Sequence, residues 1–428
     1  LMDLFYNDDE GQYGLPFAAF PNMLYYQKGM FDLEGLNYPP ANYGDLYVLD
    51  GEAVEWNIDT MYEVAKRLTL DGSGKNATEA GFNPNTIIQY GYVPQWQAAT
   101  GIASLWGAGS IVGGTPGAYT ASIPSQWTLA WKAYYSGLWG QEVFIPNGPA
   151  ISNPEFGEGN SFNSGKIAMA TAQAWYLCCI ADAGANWEIG VPPSYQGTVN
   201  GVFHSDSFRI HKNSLHQQEA FDALVYLLDN ASLIEAFDQM PARTSAQATF
   251  LAEKETQYPF VDNWHLLQDG LSYIENPSNE SWMPNLEIAW ERLSQFQDRL
   301  LNYSDLNIDN EIVILQWGLE HIFNTGINPG WPHFVVRANE DRVEGWEWPD
   351  GATVTIEIKR GGIVQTTETA EVGPAPWNPN EIRFEYNFSG EFDILAGDIV
   401  TVTDGTLTKS VTVSIHSITE INVDDDIV

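Results

Sequence analysis

Residues 162–180 read FNSGKIAMATAQAWYLCCI, and the organisation of the chain is read outward from them. A polar loop, Asn163-Ser164-Gly165-Lys166, leads into a small apolar run, Ile167 to Ala170. That run is too short for a helix and reads as a buried strand. Beyond it come Trp175 and the adjacent pair Cys178 and Cys179. A large aromatic just past the end of a buried strand stands where open α/β sheets place ligand contacts. Core packing is the competing reading of Trp175, because aromatic rings dominate cores.

Upstream, Met23-Leu24-Tyr25-Tyr26 reads as an aromatic strand, and Lys28 to Tyr43, rich in Gly, Pro and Asn, as loop. Asn57-Ile58-Asp59 offers caps to a helix from Thr60 to about Leu68 with Met61, Val64, Ala65 and Leu68 as its apolar stripe. Asp71 to Asn76 is a turn that lacks the acidic spacing and closing Glu of a calcium loop. Gly107 to Gly117 reads as loop and lacks the GK[ST] of a phosphate-binding loop. Pro124 to Trp139 carries Trp127, Ala130, Trp131, Tyr134, Tyr135 and Leu138 at i, i+3, i+4, i+7, i+8 and i+11, a helix whose rings belong to the core.

Downstream, Trp187 to Pro193 is a strand ended by a double proline, and Val202 to Ile210 a further strand with His204 and Asp206 in its middle. Ser214 with Gln217 forms a capping box for a helix to about Leu228, with Ala220, Phe221, Leu224, Val225 and Leu228 inward. A helix to about Asn302 follows Trp282-Met283-Pro284-Asn285, with Ile288, Ala289, Phe296 and Leu300 on one face, and Asp309 caps another that ends near Phe323. At Asn328 to Pro332 the helical periodicity stops. Val354 to Ile358, Ile399 to Val402 and Val411 to Ile415 alternate with period two. Residues 333–428 therefore read as a separate all-β module, most simply a sandwich.

A chain of 428 residues holds two or three domains. Its formal net charge is −38, from 18 basic and 56 acidic residues. That argues against nucleic acid, which selects a basic footprint, and against adhesion to anionic membranes. The charge is spread: from Phe334 onward 18 acidic residues face 6 basic ones, so no single acidic tail accounts for it. Such a spread reads as a solvated, salt-adapted surface. Sixteen tryptophans leave several for a binding cleft after the core is filled. Two neighbouring cysteines make neither a disulfide framework nor a zinc site. No stretch reaches the roughly 18 apolar residues of a membrane span, and the opening residues do not read as a signal peptide. The chain starts at Leu1 rather than Met, as a mature or truncated chain does.

Several blocks resemble, in order, those of one family. Tyr13-Gly14-Leu15-Pro16 with Leu24-Tyr25-Tyr26-Gln27-Lys28 is similar to its YGLP…YYNK block, and Trp56 before the Thr60 helix to its W-(D/E)-(D/E) block. Phe162 to Met169 with Trp175 resembles its F..GKvAM…W signature. Ile189 to Pro193, Ser207 to Ile210, Glu219 to Phe221 and Pro241-Ala242-Arg243 continue the series. The family is that of the extracellular solute-binding proteins of ABC importers, the sugar-binding group akin to maltose-binding protein. The resemblance runs from about Gln12 to Phe323, and the β-module lies outside it.

The resemblance implies an α/β fold of two lobes over residues 1–332, followed by the β-module. One lobe is expected from about 23–203 plus 263–332, the other from about 1–22 plus 204–262. Members of the family carry a long segment before the YGLP block, so the second lobe is expected to be incomplete and the chain truncated at its N-terminus. The implied function is extracellular capture of a carbohydrate for a membrane permease, by lobe closure and with no cofactor. It places the protein in the periplasm or lipid-anchored at the cell surface.

A sugar stacks its C–H faces on aromatic rings and needs fixed partners for its hydroxyls. Trp175 matches the position that supplies the stacking ring in the family. Phe20 and Asn22 follow the YGLP block, where the chain crosses between lobes; hinge packing is their competing role. His204 and Asp206, at i and i+2 on one strand face, suit hydroxyl recognition, with a local hydrogen-bonded pair as the alternative. Trp282 and Trp96 are further candidate rings, and Arg243 a candidate polar contact or a structural ion pair. Cys178 and Cys179 are either buried thiols or, in an oxidising exterior, a vicinal disulfide. Two other classes stay open: a glycoside hydrolase, although neither GxSxG nor HExxH occurs, and a cell-surface adhesion protein working through its β-module.

Overall fold

Leu15–Phe20 (β1) and Asn22–Gln27 (β2) are separated by Pro21, and at that proline the chain passes from one sheet into another. The computed structural model describes residues 7–8, 11–12, 14–180, 186–230, 239–273, 276–277 and 283–414. β2 is buried along its whole length, as a strand covered on both faces must be. It joins Leu70–Asp71 (β3), Ile87–Pro94 (β4), Ile167–Gln173 (β5) and Trp187–Gly190 (β6) in the order β6-β2-β5-β4-β3. β5 runs parallel to β4 and antiparallel to β2, whose other neighbour β6 is also antiparallel. β1 lies with Val202–Phe208 (β7), Met240–Pro241 (β8) and Asn276–Pro277 (β9) in the order β8-β1-β7-β9. These two sheets, with their helices, are the two α/β lobes.

Among the described residues the α-helices longer than four residues are Lys28–Glu34 (α1), Ile58–Arg67 (α2), Ala99–Ser104 (α3), Ser125–Trp139 (α4), Gln217–Asp229 (α5), Thr244–Gln257 (α6), Leu286–Asn302 (α7) and Ile308–Thr325 (α8). Asn57 caps α2 by accepting the Thr60 N–H, and Met61, Val64 and Ala65 are buried. α4 buries Trp127, Ala130, Trp131, Tyr134 and Leu138 of the face that its period marks, while Tyr135 of that face is only half-buried. A continuous apolar cluster includes Ala18 and Ala19 of β1, Tyr25 of β2, Ala170 of β5 and Trp187 of β6, together with Phe250 and Trp264. Its rings meet edge to face, as Tyr25 does with Tyr176 and Trp187 with Trp264.

Several expectations need correction. The expected loop over Lys28 to Tyr43 opens with α1, which buries Phe31 and ends on Gly35 in the left-handed conformation. The expected loop from Gly107 to Gly117 includes the strand Val112–Thr115, paired with Ala118–Ala121. Ser214 does not cap α5: the helix follows His216 without a side-chain cap, and Ser214 Oγ accepts the His216 N–H. Of its expected inward residues only Leu224 is buried, while Phe221 is 46% exposed. The sheet of this lobe offers little area to cover, since β8 and β9 contribute two residues each. Asn307 caps α8 by accepting the Asn310 N–H, with Asp309 inside the first turn.

The chain divides into two compact units, residues 1–112, 122–286 and 293–306, and residues 113–121, 287–292 and 307–428. The second holds His333–Arg337 (β10), Arg342–Trp346 (β11), Thr353–Arg360 (β12), Ile363–Glu371 (β13), Gly373–Ala375 (β14), Asn378–Asn387 (β15), Ile399–Thr403 (β16) and Thr408–Thr412 (β17). They form two antiparallel sheets, β10-β11-β15-β14 and β13-β12-β16-β17. Val354, Ile356 and Ile358 alternate inward on β12, as Val400 and Val402 do on β16. The strand expected over Val411 to Ile415 is instead β17, which starts at Thr408 and ends at Thr412. Among the described residues no helix is long and apolar enough to cross a membrane, and no His, Cys, Asp and Glu cluster could hold a metal ion.

Candidate functional site

The site is built where three strands meet the crossing at Pro21. β5 ends at Gln173, and the Ala174 N–H donates to the Pro21 carbonyl at 2.9 Å, which fixes the following 3₁₀ turn, Ala174–Cys179, against the crossing. Trp175 therefore emerges at the junction of the lobes, half-buried. Its Nε1 donates to His204 Nδ1 on β7 at 3.1 Å. An imidazole that accepts at Nδ1 is neutral and carries its proton on Nε2.

Trp96 lies two residues past the end of β4 and is 48% exposed. Its ring is parallel to that of Trp175, 8° between planes and 6.0 Å between centroids. Trp96 Nε1 donates to the Gly159 carbonyl at 2.8 Å, and Tyr176 meets the ring edge-on. The backbone of Trp96 has φ +53°, a conformation rare for a bulky residue. Strain of this kind gathers at ligand clamps and needs surrounding structure to maintain it. Tyr176 supplies part of that structure: its hydroxyl donates to Asn160 Oδ1 at 2.5 Å, and Asn160 Nδ2 donates to the Cys179 carbonyl.

Beside the indoles lies a patch of amides. Asn22 and Gln173 are cross-strand partners between β2 and β5, so their side chains share a face. Gln97 Nε2 donates to Asn22 Oδ1 at 3.0 Å. Asn22 Nδ2, Gln173 Oε1 and Asn200 Oδ1 are buried and have no hydrogen-bond partner among the described residues. Each such atom costs about 1–3 kcal/mol when left unsatisfied. Asn22 and Asn200 line one small cavity together with Pro21, Tyr43 and Gly201. Gly201 permits the approach, since a Cβ there would come within 2.8 Å of Asn22 Cβ. A cavity of about 460 Å³ lined by Trp106, Gln126, Tyr195 and Asn200 opens from the same asparagine. That size falls in the range that holds small ligands.

The structure thus brings together Trp175, Trp96, His204 and Asn22. Asp206 shares the strand face of His204 but stands at its solvent edge, where the loss of part of its hydration pushes its carboxyl up. Phe20 is a buried part of the apolar cluster opposite His204, which places it in the packing of the crossing. Arg243 stands apart, its Nη1 3.0 Å from Asp229 Oδ1 at the surface. Trp282 lies outside the described residues. Cys178 and Cys179 are joined sulfur to sulfur, Cys178 exposed and Cys179 half-buried. Sequence reasoning missed Gln97, Gln173, Asn200 and Tyr176. Their signal was adjacency: Gln97 follows Trp96, Gln173 ends the strand that delivers Trp175, Tyr176 follows it, and Asn200 precedes Gly201.

A family model described as bacterial extracellular solute-binding protein matches residues 2–261. Curated binding proteins of Brucella abortus (strain 2308) and Brucella suis biovar 1 (strain 1330) are 26% identical over 225 residues, 51% of this chain and 47% of theirs. The chain spans about half the length of the curated relatives it matches. Among solved structures, M. tuberculosis UspC is similar with a TM-score of 0.56 at 18% identity, over 74% of this chain and 76% of that one. An ABC substrate-binding protein from Listeria monocytogenes in complex with cycloalternan gives 0.53 at 18%, over 75% and 73%. The galacto-N-biose-/lacto-N-biose I-binding protein from Bifidobacterium longum, in complex with lacto-N-biose, gives 0.52 at 16%, over 75% and 73%. At these identities the likeness to the solved structures is one of fold.

Proposed function

Since the chain belongs to the bacterial extracellular solute-binding protein family, we propose that it captures a neutral carbohydrate between its two lobes and presents it to the permease of an ABC importer. The observation that carries this reading is Trp175, held by His204 at the lobe junction with its ring parallel to that of Trp96. Indole faces take the apolar face of a pyranose. The atoms of Asn22, Gln173 and Asn200 that have no partner among the described residues supply one donor and two acceptors for hydroxyls. Indole, imidazole and amide groups carry no charge, which suits an uncharged polyol better than an acid or an amine. The family is one of substrate-binding transport proteins rather than enzymes. Binding shifts the lobes to a closed state, and that state is what a permease reads. No cofactor or bond-breaking step enters. The site of action is outside the cytoplasmic membrane, free in a periplasm or tethered to the surface by a lipid.

The test is thermal stabilisation of the full chain across a panel of neutral mono- and oligosaccharides, with reducing ends assayed in parallel. A saccharide at one hundred times its Kd should add about 2.7 kcal/mol. Trp175→Ala should abolish the shift. Absence of any shift across the panel, or release of reducing ends by the wild type, overturns the reading.

A further inference from the structure

The β-module carries an aromatic ladder unrelated to the cleft. His333, Trp346 and Arg383 are consecutive cross-strand partners on β10, β11 and β15, so they stand in one row on one face of the sheet. Phe334 and Phe384, next in sequence to His333 and Arg383, point to the opposite face, where Phe384 is buried. The His333 ring lies parallel to that of Trp346, with centroids 5.5 Å apart. The Arg383 guanidinium sits 5.3 Å from the Trp346 centroid and 5.0 Å from that of Trp377. Glu381 ties the two indoles: Oε1 accepts from Trp346 Nε1 at 2.9 Å and Oε2 from Trp377 Nε1 at 3.2 Å. Gly373 pairs with Arg383 at the end of the row, and a Cβ there would meet nothing within 4 Å, so the sheet beside the guanidinium is open.

Trp377 is nonetheless 64% exposed. A ring that served only to pack would be buried; leaving most of an indole in water forgoes about 25 cal/mol for each Å² of apolar surface. Here a carboxylate and a guanidinium fix the orientation of the ring without covering it. A rigid, exposed ring beside fixed hydrogen-bonding groups matches a ligand with one apolar face and a rim of hydroxyls. Charge narrows the ligand further. Arg383 is met by Glu344 and Glu385, and Arg342 by Glu340 and Glu344, so the cations of this face are already neutralised. The chain as a whole, at −38, repels polyanions.

We propose that the Trp377 face of the β-module is a second binding site, for neutral polysaccharide, separate from the cleft. It anchors the protein on a glycan surface while the lobes take up a small solute.

The experiment is affinity electrophoresis and pull-down of the full chain with amorphous cellulose, chitin, soluble starch and β-mannan, with alginate and heparin as polyanionic probes. Retention is expected on at least one neutral polymer and on neither polyanion. Trp377→Ala should weaken it at least ten-fold with an unchanged Tm, and Glu381→Gln several-fold through loosened indoles. Trp175→Ala should leave it intact, which separates this proposal from the cleft reading. Failure of every neutral polymer to retain the chain overturns the proposal. So does undiminished retention of Trp377→Ala, retention lost in Trp175→Ala, or capture by the polyanions instead.

Discussion

Trp96 bears a bulky side chain on left-handed backbone, and asparagine adopts that backbone at far lower cost. Trp96→Asn therefore separates the two roles a ring can have. If the ring serves the ligand, the variant loses at least ten-fold in saccharide affinity while its Tm stays within a degree or two of wild type. If the ring packs, the loss resembles that of a core aromatic, about 3–5 kcal/mol. Calorimetry with a thermal melt reads both. The same contrast explains what was legible at this scale. Trp175 could be singled out because it sits at a fixed distance from a strand with a recognisable loop before it. Asn22 could be singled out by its place at the crossing. Gln173 and Asn200 could not, because such an amide acquires meaning only when it is buried without a partner, and burial of a polar side chain leaves no mark in the local pattern; nor could Gln97, whose partner Asn22 is distant in sequence.

The amphipathic signal of α5 was strong, yet its apolar residues have unequal fates. Leu224 is buried, whereas Phe221, Val225 and Tyr226 are exposed. Leu224→Ala should cost about 2–5 kcal/mol, as loss of a buried leucine does, and Phe221→Gln less than about 0.5 kcal/mol, as a surface change does. Urea denaturation of the two variants checks this; equal costs would mean that Phe221 is covered. Periodicity reports which residues can share a face, and only the partner decides whether that face is buried. The β-module teaches the complementary lesson. β12 and β16 were readable from alternating Val and Ile. β13 and β15 were not, because their sequences, IVQTTETAE and NPNEIRFEYN, bury only Ala370 and Phe384.

The link between β10 and the residue after β11 has its own pH signature. The Glu347 carboxylate, with Oε2 3.6 Å from His333 Nδ1, raises His333 above its usual 6.5, and the imidazole in turn lowers Glu347 below its usual 4.5. The histidine part of the stabilisation is complete below pH 6.5 and fades as pH rises through the raised value. The glutamate part is complete above pH 4.5 and fades as pH falls through the lowered value. The pair therefore contributes most between those two limits, and modestly, since both side chains are about half-exposed. The Tm difference between wild type and His333→Gln should peak near about pH 5.5 and shrink at about pH 3 and about pH 8.5. A difference that does not vary with pH removes the ion pair from the account.

At the scale of the molecule, the two lobes and a β-module were legible because block order and a change of period are long-range signals. Which compact unit α8 joins was not. It clusters with the strand Ala118–Ala121 and the β-module, through Glu320 to the Ala121 N–H, Asn324 to the Tyr119 N–H and Glu311 to Lys409. Those partners are polar and distant in sequence, so no window on the helix announces them. Charge, in contrast, is fully readable and predicts behaviour directly. With 56 acidic and 18 basic residues, most carboxylates have no cation to meet, and their mutual repulsion opposes the compact state. Salt shortens the reach of that repulsion from about 10 Å at 0.1 M to about 3 Å at 1 M. Salt also weakens exposed ion pairs such as Arg67 with Asp50, but each of those contributes at most about 1 kcal/mol. The repulsive term should win. Tm is expected to rise steadily between about 0.1 M and about 1 M NaCl, and equally in KCl, because screening depends on ionic strength and not on the cation. A Tm that falls with salt would mean that the few ion pairs outweigh the net charge; a rise in one salt alone would point to a bound cation instead.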